Sequence, residues 1–134
     1  MSQPAKITNL HGISRLLWLS RQAERWHLSN AELAHLLGVT STTLNDWLIG
    51  AQNNVGQSLE LPEPVIERIG LFLGLHKALV LLTPADNSEM AIEWFGKPVN
   101  LWGLNSTSIR EHLLNDPRTE TLSTLIRPIR SETA

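Results

Sequence analysis

The sequence predicts an all-α fold, in which a small helical N-terminal helix-turn-helix domain precedes a second helical domain. Three observations carry this. Apolar residues recur at three- and four-residue spacing along nearly the whole chain. No run of strict alternation is long enough to make a strand. The segment from Leu28 to Gly50 fills every constrained position of a helix-turn-helix.

Taken in order, Leu16, Leu19, Ala23 and Trp26 form one apolar stripe of a helix over residues 12–26. Ser29 stands three residues before Glu32, the spacing of a capping box that starts a second helix. The polar, glycine-containing stretch from Gly50 to Ser58 reads as a connector, so the expected domains are 1–58 and 59–134. Pro62 and Pro64 introduce Val65, Ile66, Ile69, Leu73 and Val80, whose spacing suits a buried helix. Gly70 and Gly74 weaken it, so one long helix and a pair broken near Gly74 are both compatible with the pattern. Ser88 is placed to cap a helix through Trp94 that Gly96 and Pro98 terminate. Asn105 or Ser106 opens another through Leu114. Asp116-Pro117 caps the last, which carries Leu122, Leu125, Ile126 and Ile129. Pro128 is expected to end that helix and leave Ile129 to Ala134 as a tail.

Within the motif, Leu33, Leu37, Val39, Leu44 and Trp47 let two short helices pack across a tight turn, and Ala34 is small where they approach. Gly38 supplies the left-handed turn, Thr40 or Ser41 caps the second helix, and Gly50 ends it. The spacing makes Trp47 a core residue, three after Leu44. If the second helix enters a major groove, Ser41, Thr42, Thr43, Asn45 and Asp46 face base edges and phosphates. Asn45 would then pair bidentately with adenine. The helix has no Arg or Lys, and Asp46 repels phosphate, so a packing scaffold is the competing reading. Lys6, Arg15, Arg21 and Arg25 offer phosphate contacts from the first helix. Net charge is +1 over residues 1–50 and −3 over the rest, which argues against indiscriminate coating of nucleic acid.

From Trp26-His-Leu28-Ser29-Asn-Ala-Glu32 through Gly38-Val39 to Thr43 and Trp47, the first half resembles the N-terminal helix-turn-helix of the MbcA/ParS/Xre antitoxins. The second half is similar too, in Glu67-Arg68-Ile69, Leu73-Gly74-Leu75 and Ala78-Leu79. Ala91-Ile92-Glu93-Trp94-Phe95, Pro98-Val99-Asn100 and Trp102-Gly103 resemble the family's toxin-binding segment. The resemblance spans about residues 12–127. This chain departs from the family in lacking a Thr/Ser-Pro pair after Gly103 and an arginine beside Trp47.

The resemblance implies a helical, non-enzymatic antitoxin whose second domain binds toxin and which represses its own operon. It implies a RES-type toxin, an enzyme that destroys NAD, together with operator DNA and a homodimer. The expected toxin-binding residues are Trp94, Asn100, Trp102, Arg110, Arg127 and Arg130. Aromatics concentrate at interface hot spots, and arginine recognises carboxylates and phosphates bidentately. Trp18, Trp26 and Trp47 read as core, whereas Trp94 and Trp102 fit either core or a recognition patch. The alternatives are a stand-alone transcriptional regulator whose C-terminal half only dimerises, and an interaction module that keeps the motif as scaffold.

Other functions find no support in the residues. The five histidines are scattered, none paired at metal-ligand spacing, and there is no cysteine, so neither a metal site nor a disulfide is expected. No nucleophile elbow and no phosphate-cradling glycine loop is present, so neither an enzyme nor a cofactor is expected. Without a membrane-length apolar run or a secretory apolar core near residue 6, the expected compartment is the cytoplasm.

Overall fold

The structure is a computed structural model that describes residues 6–7, 10–53, 59–87 and 89–133. Its elements run β1 (Lys6–Ile7), α1 (Leu10–Arg25), α2 (Asn30–Leu37), α3 (Ser41–Asn53), β2 (Leu59–Glu60), α4 (Glu63–Leu81), α5 (Glu89–Gly96), α6 (Ile109–Asn115) and α7 (Thr119–Thr133). The fold is all-α apart from β1 and β2, which pair antiparallel over two residues each, Lys6 with Glu60 and Ile7 with Leu59. The chain forms two compact units, Met1–Gly70 and Leu71–Ala134. They divide inside α4 and not at residue 58.

The N-terminal unit is built from the predicted stripe. Leu16, Leu19, Ala23 and Trp26 on α1 are buried with Leu33, Leu36 and Leu37 on α2 and Leu44, Leu48 and Ala51 on α3. α3 packs against both α1 and α2. Trp47 is only half-buried, as is Trp18: the buried stripe of α3 runs Leu44, Leu48, Ala51, and Trp47 falls at its edge. α3 also continues past Gly50 to Asn53, because Ala51 is buried and Gly50 keeps helical backbone.

α4 is a single helix through Gly70 and Gly74. Its buried positions are Val65, Ile69, Phe72, Leu75, Ala78 and Leu79, while Val80, expected inside, is 43% exposed. Phe72 to Leu79 belong to the C-terminal unit, whose core adds Ala91, Phe95, Leu104, Ile109, Leu113, Leu122, Leu125, Ile126 and Ile129.

Three expected helix ends in this unit are corrected. Ser108, and neither Asn105 nor Ser106, caps α6, its Oγ accepting from Glu111 N at 3.0 Å. α7 begins at Thr119, so Asp116 closes α6, donating its N–H to His112 O, and Pro117 lies before α7. Pro128 does not end α7, which runs on to Thr133. A mid-helix proline costs about 3 kcal/mol or more. Here Ile129 is completely buried one residue later, with Ile126 and Leu125 buried before it, so packing on both sides of the proline holds the last turn in place. The expected tail is therefore helix as far as Thr133, and Ala134, like the cap expected at Ser88, lies outside the described residues.

Between α6 and α7, Arg118 grips Asp116 in a two-pronged pair, Nε to Oδ1 and Nη2 to Oδ2, both 2.8 Å. These hydrogen bonds, with a further one from Thr121, hold the Asp116 carboxyl well below the usual carboxylate range. A carboxyl depressed in the folded state contributes stability above its unfolded value of about 3.9 and loses it as pH falls toward the folded value. Acid unfolding monitored by circular dichroism should therefore show a shallower fall below about pH 4 in Asp116→Asn than in the parent. Identical acid limbs would mean that the pair adds nothing, as solvent-screened pairs often do.

Candidate functional site

The α2 and α3 pair and the turn between them are assembled by their own end-chemistry. Ser29 Oγ accepts from Glu32 N at 3.1 Å, and Glu32 Oε1 accepts from Ser29 N at 2.9 Å, closing the capping box. Gly38 turns the chain at φ +77°, where L side chains are strained, and Val39 N donates back to Ala34 O at 3.0 Å. Arg68, on the first half of α4, reaches this corner and donates Nη1 to Leu36 O at 3.3 Å. A Cβ at Gly38 would meet that same nitrogen at 2.5 Å. The guanidinium thus satisfies an otherwise open carbonyl at the end of α2 and favours the negative end of its dipole. Arg68 was not foreseen as part of the motif.

Thr40 caps α3: its Oγ1 accepts from Thr43 N at 3.2 Å and donates to Thr43 Oγ1 at 2.9 Å. Of the residues expected to face a groove, Thr42, Asn45 and Asp46 are exposed, while Ser41 and Thr43 are half-buried around the cap. Asn45 Oδ1 accepts from Asn30 Nδ2 at 3.0 Å, which uses one of its two lone pairs and fixes its side chain. Arg15, Arg21 and Arg25 are all exposed on α1; the side chain of Lys6 lies outside the described residues.

In the C-terminal unit α5 leads into a loop held by its own bonds. Val99 N donates to Thr107 O at 3.3 Å and Ser106 N to Val99 O at 2.9 Å. Ser106 Oγ donates to Asn100 Oδ1 at 2.7 Å, so Asn100 shapes the loop. Closing it forces Trp102, Asn105 and Ser106, with Gly103, into positive φ between 50° and 80°. Non-glycine residues in that region each cost of order 1–3 kcal/mol and cluster at binding sites. Leu104, buried between them, pins the loop to the core.

The loop presents an aromatic pair. Trp94 and Trp102 are both half-buried, their ring centroids 5.6 Å apart and tilted by 60°, so they combine the core and surface readings. Lys97 Nζ lies 5.9 Å from the Trp94 ring centroid, and Leu101 beside them is 41% exposed. Trp102 Nε1 donates to Glu132 Oε1 at 3.2 Å, tying the loop to the last turn of α7. Lys97, Leu101 and Glu132 were not singled out from the sequence.

Arg110 is half-buried on α6, and Arg127 and Arg130 are exposed on α7. These last two line an open cleft of about 470 Å³ with Leu71, Ser123, Ile126 and Ser131. Ser123 and Ser131 donate their hydroxyls to Glu120 O and Arg127 O, and Arg127 and Arg130 are the charged residues of the lining. Among the described residues no group of three or more His, Asp or Glu could hold a metal ion, and no helix is long and apolar enough to cross a membrane. No protein-family model matches the chain, and no curated protein or solved structure shows significant similarity to it.

Proposed function

We propose that the chain is an antitoxin of the MbcA/ParS/Xre kind, acting in the cytoplasm as a homodimer without enzymatic activity. Its N-terminal unit binds operator DNA and represses its own operon, and its C-terminal unit neutralises a RES-type NAD-degrading toxin. The observation that carries this reading is the helix-turn-helix of α2 and α3. Capping box, left-handed Gly38 and Thr40 cap all serve to fix α3, whose outward face is polar apart from Ile49 and unoccupied by its own unit's core. The tryptophan loop adds the second half of the argument. Its aromatics are held in a stiff, strained backbone, so little ordering entropy is lost when a partner docks.

The test is co-expression of the full chain with the toxin encoded beside it, following growth, cellular NAD and co-purification. Protection together with a stable complex supports the reading; a chain that neither protects nor co-purifies overturns it. DNA binding has its own expected result. Thr42→Ala with Asn45→Ala should weaken specific binding to the DNA upstream of the operon while the helical circular dichroism stays unchanged. Binding should also tighten as salt falls, because phosphate contacts displace counterions. An unchanged affinity in the double variant removes α3 from the groove.

A further inference from the structure

The exposed residues of α3 are Thr42, Asn45, Asp46, Ile49, Gln52 and Asn53, against a buried stripe of Leu44, Leu48 and Ala51. Steps of four and three place Thr42, Asp46 and Ile49 in one outward row. That row is polar except at Ile49, which stays 56% exposed although its helix neighbours bury their leucines. Such a side chain gains nothing from its own fold, whereas a thymine methyl at the floor of a major groove offers it an apolar contact. Asp46 offers acceptors only, which phosphates repel and the amino group of cytosine matches. Asn45, oriented by the bond its Oδ1 accepts from Asn30, offers Nδ2 donors to a phosphate or to a guanine or thymine acceptor. Positive charge for the phosphates comes from Arg15 and Arg21, exposed on α1, the helix that packs against α3.

Resting on the DNA-binding role proposed for α3, we infer that Ile49 and Asp46 set sequence specificity in B-form DNA, Ile49 on a thymine methyl and Asp46 on a cytosine amine. Residues three apart on a helix are separated by about 4.5 Å along its axis, against about 3.4 Å per base pair. The two bases therefore fall within about two base pairs of each other, with α3 lying along the groove and not entering it end-on.

The experiment selects duplexes from a randomised pool with the full-length protein, then replaces each thymine of the selected duplex by deoxyuridine, which deletes only the 5-methyl group. For the parent, one such replacement should weaken binding about fourfold, the factor for losing one buried methyl-sized group. Ile49→Ala should bind the thymine and uridine duplexes equally, and Asp46→Ala, which removes the acceptor oxygens, should lose the preference for cytosine nearby. Since both side chains are exposed, circular dichroism melts of the variants should match the parent. Enrichment of a sequence without a uridine effect, or with one that persists in Ile49→Ala, overturns the inference while leaving α3 a DNA reader. No enriched sequence at all overturns both, and a complex with toxin lost on Ile49→Ala would reassign the row to a protein partner.

Discussion

Phe95→Ala is expected to destabilise the protein by about 3–5 kcal/mol, the usual cost of deleting a large aromatic from a closed core. Phe95 is fully enclosed on α5, which packs against α6, where Ile109 and Leu113 are equally hidden from solvent. No other fully enclosed side chain on this short helix has comparable volume: its other buried residue is Ala91, and Trp94 is only half-buried. Removing the ring therefore leaves a cavity that an eight-residue helix cannot close by repacking its own side chains. Urea melts should show a lower midpoint with an unchanged slope, the signature of lost stability without a change in the surface exposed on unfolding. A smaller loss is expected for Phe95→Leu, which keeps most of the apolar volume. A Phe95→Ala variant that melts like the parent would place the ring outside the core.

How much was legible in the sequence divides along a physical line. Ser29 with Glu32, Gly38, and the stripe of Leu16, Leu19, Ala23 and Trp26 act through neighbours within a few residues, and their spacing is enough to place them. The start of α6 was open because Asn105, Ser106 and Ser108 all carry capping side chains. What decides among them is the bridge from Val99 to Thr107, which draws Asn105 and Ser106 into left-handed backbone and leaves Ser108 extended at ψ 159°. Pro128 misleads for a related reason. Its local effect is to break a helix, and the burial that overrides it, at Ile129, is set by the rest of the unit. In the candidate sites, Thr42, Asn45 and Asp46 were legible because helical periodicity predicts a face. Arg68 on Leu36 O and Glu132 on Trp102 were not, since each bridges about thirty residues of chain. The exposure of Ile49 is legible in its phase, one residue past Leu48 and off the stripe of Leu44 and Leu48.

Under the antitoxin role proposed above, Trp102→Ala is expected to weaken toxin binding roughly thirtyfold in a protein that still folds. The two effects differ because the indole is shared between fold and surface. Within the fold it contributes a tilted contact with Trp94, worth about 0.5–1.5 kcal/mol beyond burial, and one hydrogen bond to Glu132, worth about as much. A loss of about 1–3 kcal/mol leaves most of a typical stability of about 5–15 kcal/mol intact. At an interface the same indole would be a central anchor beside exposed Leu101, and such anchors cost about 2 kcal/mol or more when truncated, roughly thirtyfold in affinity. Glu132→Gln separates the roles, since its amide oxygen still accepts from the indole N–H but carries no charge. That variant should protect nearly as well as the parent, whereas Trp102→Ala should not, with both retaining helical circular dichroism. The measurement is growth and cellular NAD during co-expression with the toxin, together with co-purification. Full protection by a folded Trp102→Ala protein would remove the tryptophan loop from the toxin contact and shift attention to the Arg127 and Arg130 cleft on α7.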